Sequence, residues 1–65
     1  MISKHSITIR GHRTSFSLED AFWQELRTIA QAQKKPLASL VTEIDEHRDP
    51  DDNLSSAVRL YILRW

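Results

Sequence analysis

A chain of 65 residues makes one small domain at most and buries a low fraction of its surface, so a core built by one copy alone is expected to be marginal. It has no cysteine, which excludes disulfide staples; three histidines without cysteine disfavour a structural metal, so oligomerisation becomes the leading expected support. Nine Lys and Arg balance nine Asp and Glu, which at first sight argues against nucleic acid, but the charges are unevenly placed.

Residues 1–18 carry Lys4, His5, Arg10, His12 and Arg13 and no acid. Lys34 and Lys35 form a second basic spot, and acids gather at Glu43, Asp45, Glu46, Asp49, Asp51 and Asp52. A neutral total of this kind still permits a local anion-binding surface. Residues 1–9 lack the apolar stretch of a signal peptide, and no apolar run is long enough to span a bilayer. The expectation is a soluble, cytoplasmic chain that contacts no membrane.

In chain order, residues 1–5 read as a flexible N-terminus and 6–65 as a single domain. Ser6 to Arg10 alternates polar and apolar, the pattern of a short strand at about 6–10. At Gly11, the only glycine, the alternation changes phase: Ile7 and Ile9 are odd, whereas Thr14, Phe16 and Leu18 are even. A bulge or bend at Gly11-His12 would accommodate that shift. A second strand follows at about 13–17.

The first helix is predicted at about 18–33, with Ser17 as its cap, Glu19 and Asp20 in its first turn, and an apolar stripe of Phe22, Trp23, Leu26, Ile29 and Ala30. Lys34-Lys35-Pro36 ends it. A second helix, about 37–48, repeats the pattern through Leu37, Leu40, Val41 and Ile44. After the loop Asp49-Pro50-Asp51-Asp52, Asn53 is placed to cap a third helix, about 53–64, with a broad apolar face running from Leu54 to Trp65.

Two short strands need a hydrophobic face packed on something. Thr14, Phe16 and Leu18 are suited to lie on helices, while Arg13, Ser15 and Ser17 point away. The simplest partner for this strand is its own copy in a second chain, paired antiparallel about a two-fold axis. A two-stranded ribbon has the right size for the DNA major groove. Arg13, Ser15 and Ser17 would then reach bases, while Lys34, Lys35, Ser39 at the start of the second helix, and His12 would contact the backbone.

The segments "GHRTSFSLEDAFWQELRTIA", "LASLVTEID" and "NLSSAVRLYIL" together resemble the ribbon-helix-helix (Arc/MetJ-type) family, closest to a subgroup of short bacterial proteins. The resemblance covers nearly the whole chain from Ser6 onward. It implies a mainly α fold forming an intertwined homodimer, with two core helices behind a ribbon that inserts into double-stranded DNA to regulate transcription. It also implies a dimer core of Thr14, Phe16, Leu18, Trp23, Leu40 and Ile44. Three features depart from the minimal pattern: Lys34-Lys35-Pro36 stands where a glycine-containing turn is usual, a strand precedes Gly11, and a third helix is added.

Other classes find less support. No nucleophile–base–acid set is present, so an enzyme is not expected. His5, His12 and His47 lack metal-ligand spacing, and the acidic run from Asp49 to Asn53 lacks the central glycine and closing glutamate of a calcium loop; no cofactor is expected. Two alternatives remain open. One is a dimeric protein-interaction module, antitoxin-like or an adaptor, that binds a protein partner through the C-terminal helix. The other is a monomeric three-helix domain with an ordered N-terminal arm.

Overall fold

A computed structural model describes all residues, 1–65. Two strands, β1 (Ile2–Ile9) and β2 (His12–Glu19), are followed by three helices, α1 (Asp20–Ala32), α2 (Leu37–His47) and α3 (Leu54–Arg64). This is a ribbon followed by helices, as the fold class anticipated. The element bounds differ from expectation at the N-terminal end. The first strand starts at Ile2, so residues 2–5 are part of the ribbon and not a loose terminus.

β2 takes β1 of its own chain as its antiparallel partner, in a register running from Ile2 opposite Glu19 to Ile9 opposite His12. A second copy was the simplest expected partner for this strand; within the chain β1 takes that place on one edge of β2. Arg10 and Gly11 form the whole loop, with φ values of 49° and 80°. Positive φ at both central residues marks the type I′ turn, whose twist matches that of the strands it joins. The phase change at Gly11 is thus a chain reversal and not a bulge. In this register every odd-numbered residue of β1 faces the same way as an even-numbered residue of β2.

The inward row of the ribbon is Ile7, Ile9, Phe16 and Leu18; the last three are buried and Ile7 half-buried. α2 packs on β1, and α1 and α3 pack on β2. Leu26, Ile29 and Ala30 of α1, Leu40, Val41 and Ile44 of α2, and Leu54, Ala57 and Val58 of α3 complete a core of twelve residues, all apolar. Each helix buries one stripe at helical spacing, and no polar side chain is buried with them. Phe16, Leu18, Leu40 and Ile44, expected at a dimer core, are buried within a single chain. Thr14 is half-buried. Trp23, also assigned to that core, is half-buried at its margin, where His5 of β1 stacks on its ring at 3.7 Å between centroids.

The strand–helix junction also differs from expectation. β2 continues to Glu19, which occupies the N-cap of α1 and makes no side-chain capping bond. Ser17 is therefore not the cap. A helix start leaves N–H groups without helical partners, and here the Asp20 N–H donates to the Met1 carbonyl at 2.9 Å. The strand ladder does what a capping hydroxyl would have done, while Ser3 Oγ donates to Asp20 Oδ1 at 2.8 Å.

At its other end α1 closes with Lys34 in the left-handed region, φ 55°. The Lys34 and Lys35 N–H groups donate back to Gln31 and Ala30, the pattern of a Schellman motif, which usually places glycine at that position. Lys34 takes the glycine's conformation without being one. At the start of α3, Asn53 Oδ1 accepts from the Ser56 N–H at 2.8 Å, so this cap is made as the sequence suggested. No helix is long and apolar enough to cross a membrane.

Candidate nucleic-acid interface

The outward face of the ribbon carries Lys4, Ser6 and Thr8 from β1 and Arg13, Ser15 and Ser17 from β2, all exposed. Cross-strand pairs are Lys4 with Ser17, Ser6 with Ser15 and Thr8 with Arg13. The Ser6 and Ser15 hydroxyls lie 3.1 Å apart, within hydrogen-bond reach across the strands. The β2 half of this face was anticipated; the β1 half was not, because residues 1–5 read as a tail. The signal that could have found it was Arg10-Gly11 between two alternating runs, a two-residue hairpin loop.

Electrostatics set this face apart. Arg10 pairs with Asp45 and Glu46, Lys35 with Glu43, Arg48 with Asp45, and Arg59 with Glu19. Four of the nine Lys and Arg residues are thereby neutralised within the chain, chiefly against the acids of α2. Lys4 and Arg13 take part in no ion pair. No acid shares their face until its end, where Glu19 sits opposite Ile2. The Arg59 guanidinium, bonding to Glu19 with help from a backbone N–H, holds that carboxyl below its ordinary value. A chain of zero net charge can therefore present a local positive surface here, although Arg27, Lys34 and Arg64 elsewhere are also exposed and in no ion pair.

The remaining sequence-derived contacts do not gather at this face. His12 belongs to the parity of Thr14, Phe16 and Leu18, so it lies on the helix side of the ribbon, exposed at the tip beyond the core. Lys35 Nζ donates to Glu43 and is engaged within the chain. Lys34 and Ser39 are exposed near the start of α2, a helix with no side-chain cap at Pro36. The ion pairs that tie the ribbon to α2 join Arg10 to Asp45 and Glu46, at the other end of the helix. Asp45 is eight residues past Leu37, about 12 Å along the axis. The start of α2 is therefore not where the ribbon tip is tied.

The backbone adds a further property. The pair closing a two-residue hairpin loop exchanges both ladder bonds, and the pattern then alternates. Ile9 with His12 is that pair, and the Asp20-to-Met1 bond continues the alternation. The N–H and C=O groups of Thr14, Phe16 and Leu18 thus face β1, while those of Arg13, Ser15 and Ser17 face the open edge of β2.

A different surface lies between α2 and α3. A cleft of about 320 Å³ is lined by His47, Arg48, Tyr61, Arg64 and Trp65, among others. At this end of the chain Leu63 is 80% exposed, and Trp65, which lines the cleft, 64%. The apolar face predicted for the third helix is covered by its own chain at Leu54, Ala57 and Val58, but not at this end. No group of three or more His, Asp or Glu is placed to hold a metal ion.

A family model described as the ribbon-helix-helix domain matches residues 2–65, which takes in both strands and all three helices. The chain belongs to the ribbon-helix-helix domain family. This is a family of DNA-binding regulators whose fold is not that of an enzyme. The strand before Gly11 and the third helix, additions to the minimal pattern, both lie within the matched region. No curated protein and no solved structure matches the chain.

Proposed function

We propose that this ribbon-helix-helix chain is a homodimeric, sequence-specific DNA-binding protein that regulates transcription in a bacterial cytoplasm. The observation that carries the reading is the outward ribbon face, on which Lys4, Ser6, Thr8, Arg13, Ser15 and Ser17 are all polar and exposed, with Lys4 and Arg13 unpaired while Arg10, Lys35, Arg48 and Arg59 are taken up by internal acids. Two copies joined along the open edges of β2 would make an isologous interface and protect edges that are otherwise free to pair at random. Arg13, with its fork of donors, is suited to guanine, and Ser15 and Ser17 are short enough to approach base edges. Ser17 is available for this because Met1, and not its hydroxyl, satisfies the start of α1. Lys34 and Ser39 remain as backbone contacts; His12 and Lys35 are weaker ones, since one lies on the opposite face and the other is already paired. No catalytic step and no cofactor belong to this reading.

The test is binding to mixed-sequence duplex DNA at two salt concentrations, with sedimentation run in parallel. A binder of this kind weakens steeply as salt rises and sediments as a dimer. Absence of binding at low salt, or a monomer at micromolar concentration, would sink the reading.

A second reading, a dimeric module that docks a protein partner through the C-terminal helix, is favoured by the exposure of Leu63 and of Trp65, which lines the cleft. It predicts that Tyr61→Ala abolishes function in cells while Arg13→Ala leaves it intact.

A further inference from the structure

The proposal above assigns base contacts to β2 and leaves the outward row of β1 without a role. We infer that β1 supplies a flanking set of contacts, led by Lys4, that grips backbone phosphates at the rims of the groove while Arg13, Ser15 and Ser17 work on its floor. This inference rests on the DNA-binding reading and deepens it.

Joining two chains along β2 gives a sheet of four strands in the order β1, β2, then the partner's β2 and β1. Neighbouring strands lie about 4.8 Å apart, so the outer strands are about 14 Å apart. The major groove is about 12 Å wide. The central pair fits inside it; the outer strands meet the phosphate walls. Chemistry follows the same division. Lys4 is a flexible point charge suited to phosphate, whereas Arg13 carries the planar fork suited to a base edge. The hydroxyls of Ser6 and Thr8 are exposed beside Lys4 on the same strand face and suit phosphate oxygens. The Ser6–Ser15 contact at 3.1 Å couples the outer row to the inner one, so seating one row positions the other.

Lysine on an edge strand has a second use, which is to deter pairing with stray strands. A lysine kept only for that purpose adds nothing to the salt dependence of binding, and this separates the two roles.

The experiment uses the full chain and a pool of duplexes with a randomised core. Affinity is measured between about 50 and 200 mM salt for the parent chain, Lys4→Ala and Arg13→Ala, and the sequences each selects are compared. Thermal melts check that the variants fold. Lys4→Ala is expected to reduce the slope of log affinity against log salt by about 1 for each phosphate no longer neutralised, so about 2 per dimer, with the selected sequences unchanged. Arg13→Ala is expected to relax the selected sequence. An unchanged slope for Lys4→Ala overturns the inference. So does a changed sequence preference for that variant, which would mean a single hairpin enters the groove and both its strands read bases. Failure of the parent chain to bind any duplex is a different result: it removes the DNA-binding reading, and this inference with it.

Discussion

Arg59 Nε of α3 donates to Glu19 Oε1 at 2.7 Å, fastening the third helix to the residue where β2 ends and α1 begins. The hydrogen bond from Arg59 is the first cause of the lowered Glu19 pKa, followed by a backbone N–H. A carboxyl whose folded pKa lies below its unfolded one contributes stability that is fully present above the ordinary value of 4.5 and is lost as pH falls through the lowered one. Melting temperatures measured from about pH 6 down to about pH 3 should therefore fall less steeply for Glu19→Gln than for the parent chain. Parallel curves would show that this ion pair has no part in acid sensitivity.

The hairpin loop gives a second expectation. A Cβ added at Gly11 meets no atom within 4 Å, yet its φ is 80°. Gly11→Ala introduces backbone strain and no clash, so chemical denaturation should show a loss of about 1–2 kcal/mol. A neutral result would mean that the turn has relaxed to another type.

Lys34 offers the opposite sign. It holds φ 55° at the end of α1, where glycine meets no Cβ penalty. Lys34→Gly should raise stability by about 1 kcal/mol. If Lys34 also contacts a phosphate, the same variant should melt higher and bind DNA less tightly. A variant that is less stable would refute the strain argument.

The stacked pair at the edge of the core is testable by its unpaired nitrogen. His5 lies flat on Trp23, planes 3° from parallel, and its buried Nε2 has no hydrogen-bond partner. His5→Phe keeps a ring over the indole and removes the unsatisfied atom. The expected gain is about 1 kcal/mol in a thermal or denaturant melt. A loss would show that Nε2 is satisfied by solvent.

The helices were legible in the sequence because their apolar stripes are long and periodic: Leu26 with Ile29 and Ala30, and Leu40 with Val41 and Ile44, are the buried positions the spacing indicated. The outward half of β2 was legible for the same reason, at period two. What escaped was set by pairing across the chain. Met1 to His5 carries too few apolar residues to announce a strand, and its order follows from the register that puts Ile2 opposite Glu19. The cap of α1 escaped with it, since a backbone carbonyl from residue 1 leaves no mark in local composition. The ion pairs of Arg10 and Arg59 span 35 and 40 residues, and no spacing rule reaches that far.

The tight turn at Arg10-Gly11 also sets the molecularity of each hairpin face. Were the ribbon made of one strand from each of two chains, it would exist only above the concentration at which they associate. Here both strands belong to one chain and are joined by two residues, so the ribbon closes in a first-order step, on the microsecond scale of hairpins. Dilution that separates copies would then leave each β1–β2 hairpin closed and remove only the β2-to-β2 junction of the proposed dimer.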